Sequence, residues 1–519
     1  MAINDVEKVS RSTTAHELRE CEATPAEPEP GSGDIKVLAD SSLSGNVKTT
    51  ADGNIVLIPQ PSADPDDPLN WSWKKKHFVF TALMLPSFLS DFSVTYGAVI
   101  FEKQAQTWDM SVAAVSNSIG GALFMLGPGG VLAVPMTERF GRLPVLFWSQ
   151  LAGLVLTIGA TLSTTYTGFT AVRVLQGLFT SPPQVIGLTF IHDMFFFHER
   201  TRKINIWCVA FLVGPIFAPV MSSLILSKVG WREDFAVVAG MYFLSLLLVI
   251  VMGDETAFDR RNTGNNIKSC GIRGRLELLT GVAGWKTKGR PSLRSVFVQI
   301  FQVQIKPQML LPATGFYMVL VMWTIGFVTT LSQILYPAPY FFTPAQVGLF
   351  YLAPCIGSVV GELYGHWFND WLCTRYIRKH NGKYRPENRL WSCYPGLVLG
   401  VAGLVIYGQA LQHQLSWVVL AVGYGVYAVA QMAVPVAIIA YLLDVFPDHS
   451  VITSAIINFW RTTGGFCVGY FELKWIARTG AGATFGTQAA LLVASFLTII
   501  AVQIWGKEWR AKYPAPSVG

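Results

Sequence analysis

An all-α membrane protein of twelve transmembrane helices, set out as two pseudo-symmetric six-helix halves, is the fold class that the sequence predicts. Three observations predict it. Apolar stretches of about 20 residues, the length of helix that crosses about 30 Å of hydrocarbon, recur along the chain. Of 519 residues, 51% are hydrophobic and only 14% are charged, where soluble domains carry about a quarter. The polar turn after the second stretch is echoed after the eighth, with one long polar stretch between the sixth and the seventh. Lipid offers backbone groups no partner, so spans are helices or closed barrels. The period-2 alternation of barrel strands is absent from the sequence.

Residues 1–76 come first, rich in Pro, Ser, Thr, Glu and Asp and without Phe, Tyr or Trp before Trp71. Such a segment buries too little surface to offset its ordering entropy, and it lacks the basic start and apolar core of a signal peptide. The expectation is a disordered cytoplasmic tail. The N-terminal bundle, 77–252, holds spans at His77–Phe101, Val112–Pro135, Leu143–Leu162, Phe169–Met194, Ile204–Lys228 and Phe235–Met252. Residues 253–308 form a cytoplasmic linker, whose end at Leu293–Ile305 reads as a surface amphipathic helix or a solvated connector. The C-terminal bundle, 309–505, holds Met309–Leu335, Ala345–Phe368, Trp391–Leu411, Trp417–Leu443, Val451–Leu473 and Phe485–Trp505. A cytoplasmic tail, 506–519, closes the chain.

Positive charge orients the spans. With both termini inside, the outer loops carry only Lys103, Lys228, Arg232, Lys474 and Arg478, as expected when translocation of Lys and Arg is disfavoured. The net charge of +7 then follows from topology, and no basic patch on a soluble face points to nucleic acid. The Asn70-Trp71-Ser72 sequon falls on the inner side and is expected to be unglycosylated. Seven cysteines without a CxxC pair read as small buried hydrophobes, with no metal or cofactor implied.

Between spans 2 and 3 lies Glu138-Arg139-Phe140-Gly141-Arg142. Gly141 lets the chain reverse, and Glu138 and Arg142 present charge to helix ends. The echo after span 8 runs from Gly361-Glu362 to Asn369-Asp370. Glu138, Arg139, Gly141, Arg142 and Asp370 are therefore candidates for a conformational gate, or for an ordinary positive-inside loop. Span 5 holds Gly214-Pro215 and Pro219, candidates for a helix kink, since proline removes a helical hydrogen bond. Pro182-Pro183 interrupts span 4 in the same way.

Charges inside spans cost at least about 2.5–3.5 kcal/mol unless paired or wetted. Asp91, Arg173, Glu362 and Arg461 are four such charges, and they are the candidates for proton and substrate coupling. Asp91 and Arg173 both fall outward of the midplane and are positioned to pair. The alternatives are an Arg173 bonded to backbone carbonyls and an Asp91 tolerated near the interface. Arg461, without an acidic neighbour in sequence, is expected to face a wet cavity. Tyr96, Gln176, Trp323, Tyr351, Tyr427 and Trp460 are candidates to line an apolar pocket for a bulky amphipathic molecule.

Three elements together carry a family resemblance: the turn from Pro135 to Arg142, Arg173-Val174-Leu175-Gln176-Gly177 in span 4, and Gly214-Pro215-Ile216-Phe217-Ala218-Pro219 in span 5. From Pro65 onward the chain resembles the major facilitator superfamily, and within it the fungal twelve-spanner drug:proton antiporters. Val134, Glu138 and Ala218 depart from that family's usual Gly, Asp and Gly. The resemblance implies secondary transport by alternating access, with protons and a small-molecule substrate as partners and a monomer in the lipid bilayer, with the plasma membrane as the expected location. The expected direction is export of a secondary metabolite or toxicant; uptake of a nutrient or organic cation is the alternative. A membrane-embedded enzyme or sensor is the third reading. No G-x-x-x-x-G-K-[ST] is present to cradle nucleotide, no TVGYG-like filter, and no HExxH or G-x-S-x-G.

Overall fold

The computed structural model describes residues 57, 59–258, 271–287, 290–379 and 385–516. Most of the expected N-terminal tail, linker residues 259–270 and the side chain of Asp370 lie outside the described residues.

Hydroxyl and carboxylate caps start several spans. Asp67 accepts from the Leu69 amide at the head of the turn Pro68–Asn70, and Ser72 accepts from the Lys75 amide at the head of α1, Trp73–Thr95. Ser111 caps α2 (Val112–Phe140), and Thr165 caps α4. Such caps satisfy amides that have no partner inside the helix. Between them runs α3 (Arg142–Leu162). The fourth crossing, α4, comprises Tyr166–Thr180 and Pro182–Met194, divided at Ser181 where Pro182 and Pro183 supply no amide proton.

After α5 (Phe197–Leu226) and α6 (Trp231–Met252), the linker contributes helices at Gly271–Thr280, Val282–Lys286 and Leu293–Gln304. The last has Val296, Ile300 and Val303 buried on one face, and it packs across α2 and α11. The second half consists of α7 (Pro307–Leu335) and α8 (Pro344–Phe350 continued by Leu352–Lys379), then α9 (Cys393–Gln412) and α10 (Trp417–Val445). It ends with α11 (Ser450–Thr479) and α12 (Ala481–Lys512).

Among the described residues, ten helices are long and apolar enough to cross a membrane. The other two crossings are α4, divided into segments of 15 and 13 residues, and α11, which carries Arg461, Glu472, Lys474 and Arg478. Pro215 and Pro219, the kink candidates of span 5, lie inside α5, whose helix is continuous from Phe197 to Leu226. Each proline removes one hydrogen bond, and α5 packs along α1. At Gly214 a Cβ would lie 2.8 Å from the Phe88 carbonyl of α1, so glycine sets that approach.

The pairings repeat with an offset of six. In the first half α1 packs on α5, α2 on α4 and α3 on α6; in the second, α7 packs on α11, α8 on α10 and α9 on α12. Between the halves α2 meets α11, and its pseudo-equivalent α8 meets α5. An even number of crossings puts the start of α1 and the end of α12 on one side, the terminal face. On the opposite face the halves are closed on each other. There Ser332 donates to the Ala98 carbonyl at 2.8 Å and Tyr336 to that of Val99 at 2.9 Å.

Candidate functional site

The candidate site lies where α1, α4 and α11 meet between the halves. The Arg461 guanidinium forks onto the Asp91 carboxylate, with Nη1 2.6 Å from Oδ2 and Nη2 3.1 Å from Oδ1. Nη2 also donates to Gln184 Oε1 and Asn458 Oδ1, each at 2.9 Å. Asp91 is 2% exposed and Arg461 5%, so neither charge has water to fall back on. A planar fork on a carboxylate is the strongest geometry available to such a pair. Asn458 in turn donates to the Leu126 carbonyl of α2 and to Ser181 at the division of α4. One side chain of the second half thus binds two helices of the first.

On the terminal-face side of the pair is a cavity lined by Gln184, Leu188, Trp207, Phe211, Tyr317 and Ile457, with Arg461 at its depth. Phe211 stands 5.8 Å from the guanidinium carbon, within cation–π range. The cavity volume is about 20 Å³, far below the roughly 300–1,000 Å³ of a site for a drug-sized ligand. A bulky molecule therefore requires the halves to part.

Arg173 does not pair with Asp91, which corrects the expectation from sequence. Its Nη1 donates to the Ser93 carbonyl and to Gln176 Oε1, both at 2.7 Å, and its Nη2 donates to the Val94 carbonyl. α1 ends at Thr95, and the last carbonyls of a helix lack partners within it. Arg173 fills that place, and a cation is favoured there by the helix dipole. Asp91, left without it, is met by Arg461 from the other half. Arg173→Ala would strand acceptors at about 1–3 kcal/mol each. The expected result is a lower thermal midpoint for the purified protein, partly recovered by Arg173→Lys. The pH dependence of transport should stay where it is, and a displaced pH profile would tie Arg173 to Asp91 after all.

None of the six residues expected to line the pocket lines this cavity. The Tyr96 hydroxyl donates to Asp234 on α6 at 2.5 Å, and Gln176 bridges Arg173 to Thr157. Tyr351 and Tyr427 donate to the carbonyls of Val328 and Leu320 on α7, and Trp323 is buried in the same core. Trp460, one position before Arg461, is turned about 100° away on the helix and packs on Phe459. Glu362, on α8, has a buried oxygen without a hydrogen-bond partner and stands apart from the Arg461 network.

At the turn between α2 and α3, Gly141 has φ +110°, and a Cβ there would collide with the Glu255 carboxylate. That carboxylate accepts the Arg142 and Leu143 amides, each at 3.1 Å, as an anion does at a helix N-terminus. Arg142 lies 3.4 Å from Asp193 at the end of α4. Arg139 lies over Trp285 of the linker, and its carbonyl accepts from Arg290. Glu138 is half-buried beside Arg142. Sequence reasoning missed Gln184, Asn458, Asp193 and Glu255. The available signals were a glutamine directly after Pro182-Pro183 and an asparagine one helical turn before Arg461.

Two six-helix halves with a buried ion pair between them and a cavity on one side define a secondary transporter. The chain belongs to the Major Facilitator Superfamily, whose family model matches residues 82–469. It is similar to the MFS-type transporter penM of Penicillium rubens, 25% identical over 90% of this chain and 91% of that one. It is also similar to the efflux pump radE of Floropilus chiversii, 24% identical over 89% and 85%. Among solved structures, the fold matches the partially occluded inward-open xylose transporter XylE of E. coli, with TM-score 0.58 and 13% identity over 82% of this chain and 98% of that one. The human organic anion transporter MFSD10 matches with TM-score 0.56 and 16% identity over 82% and 99%. The chain is thus a multi-pass membrane transporter whose curated relatives include fungal ones.

Proposed function

We propose that the protein exports a bulky, largely apolar organic compound in exchange for protons, and that Asp91 and Arg461 couple the two flows. The observation that carries this reading is the Asp91–Arg461 fork, which joins α1 to α11 across the two halves beside the cavity. With Asp91 ionised, the pair links the halves. A proton on Asp91 cancels the attraction and leaves Arg461 free to swing toward the cavity. Substrate and proton then compete for one conformation, as exchange requires, because a ligand shifts an equilibrium only by its differential affinity for the two states.

The cavity walls, with Trp207, Phe211, Tyr317, Leu188 and Ile457, suit an apolar body. The names of fungal relatives, one an efflux pump, agree with export. The distribution of Lys and Arg supports a cytoplasmic terminal face, and the plasma membrane is the location that fits export from the cell. The test is retention of a lipophilic fluorescent dye by cells expressing the chain. Expression should lower retention several-fold, and a protonophore should restore it. Protonophore-sensitive accumulation would mean uptake; no change with the proton gradient would remove coupling.

A further inference from the structure

A second intramembrane carboxylate, Glu472, lies outside the site described above. It sits on α11 eleven residues after Arg461, three turns toward the opposite face and within about 20° of the same azimuth. It is 1% exposed. Among the described residues no ion pair reaches it, whereas Asp91 has Arg461. Its surroundings come from four helices: Gly326 and Thr330 of α7, Tyr407 of α9, Tyr427 of α10 and Gln488 of α12.

The hydrogen bonds there do not close for an ionised group. Gln488 Nε2 donates to Oε1 at 2.9 Å, but Oε2 has no donor, and neither has Gln488 Oε1. The Thr330 hydroxyl, within hydrogen-bonding reach of the carboxyl, donates to the Gly326 carbonyl at 2.8 Å, and that of Tyr427 donates to the Leu320 carbonyl. The Tyr407 hydroxyl is without a partner. An ionised carboxyl only accepts, while a protonated one also donates. At bilayer depth an unpaired charge costs at least about 2.5–3.5 kcal/mol. Gly326 shows that the space is shaped for the carboxyl: a Cβ on that residue would lie 2.5 Å from Oε2.

We propose that Glu472 with Gln488 forms a proton-binding site inside the second half, separate from the Asp91–Arg461 pair, in which Oε2 carries the proton. Proton binding makes Oε2 a donor in a pocket that holds Gln488 Oε1 as a free acceptor, and it ties α11 to α12 while leaving Arg461 free to respond to Asp91. This site does not depend on the direction or substrate of transport.

The test is infrared spectroscopy of the full chain in lipid nanodiscs at neutral pH, read at the C=O stretch of a protonated carboxyl. Wild type should show intensity there that Glu472→Gln lowers by the share of one carboxyl and Asp91→Asn leaves unchanged. Glutamine has the shape of the neutral acid, so Glu472→Gln should also fold and keep the wild-type thermal midpoint. A band of equal intensity in wild type and Glu472→Gln would overturn the proposal. A glutamine variant that cannot fold would overturn it too, because the structure would then need the charge. The reading of Asp91 and Arg461 would survive either result, since it is tested by flux.

Discussion

Asp91→Asn should abolish transport driven by a pH gradient, by a hundred-fold or more, while the protein still reaches the membrane folded. Asparagine keeps the size of the side chain and one acceptor for Arg461, so the contact between α1 and α11 survives in a weaker, neutral form. What it cannot do is take up and release a proton. A hundred-fold loss corresponds to about 2.7 kcal/mol at about 1.36 kcal/mol per factor of ten, within what a buried charge-assisted pair supplies. The measurement is gradient-driven flux in reconstituted vesicles, with exchange of labelled substrate at equal pH as control. Exchange should persist if the asparagine variant still rocks between states. Wild-type flux under the gradient would take Asp91 out of the coupling mechanism.

Arg461→Ala should be the more damaging change to stability. It removes the only basic partner, among the described residues, of a carboxylate that is 2% exposed, and breaking one side of a buried pair costs about 3–5 kcal/mol. Gln184 Oε1 and Asn458 Oδ1 lose their donor at the same time. The expected outcome is poor membrane yield and a thermal midpoint well below wild type. The double variant Asp91→Asn with Arg461→Gln should recover most of the yield and none of the gradient-driven flux, because it removes both charges together. Additive losses in the double variant would show that the two residues act independently.

Much of the architecture was legible because hydrophobic length is a one-dimensional signal. Each of the twelve expected spans corresponds to a helix, although α4 is divided into two short segments and α11 carries Arg461, Glu472, Lys474 and Arg478 along its length. Charge inside a span was an equally direct signal for Asp91, Arg173, Glu362 and Arg461. Their partners were not legible. Depth along a helix can be counted from sequence, but which neighbour a side chain meets depends on azimuth and on helix order. Asp91 and Arg173 match in depth, yet Arg173 spends its donors on the carbonyls at the end of α1. Azimuth also explains the pocket residues. Tyr351 and Tyr427 each needed an acceptor for a buried hydroxyl and found one on α7, which turned them into the core of the second half. Glu472 was overlooked because it sits near the end of a span, where a charge reads as an interfacial one.

Several links between the halves can yield to load one at a time. Ser332, Tyr336 and Asn458 each hold the partner half by a side-chain donor on a backbone carbonyl. Such bonds are worth about 0.5–1.5 kcal/mol apiece, and each is released by a rotamer change. Within the first half, α2 and α4 touch backbone to backbone at Gly177, where any Cβ would strike the Ala122 carbonyl; no rotamer can relieve that contact. Force applied across the molecule is therefore absorbed at the seam, bond by bond, while the six-helix blocks keep their shape. Among the described residues the one ion pair across the seam is the Asp91–Arg461 fork, and under the proposed coupling a single proton would turn it from a catch into a hinge.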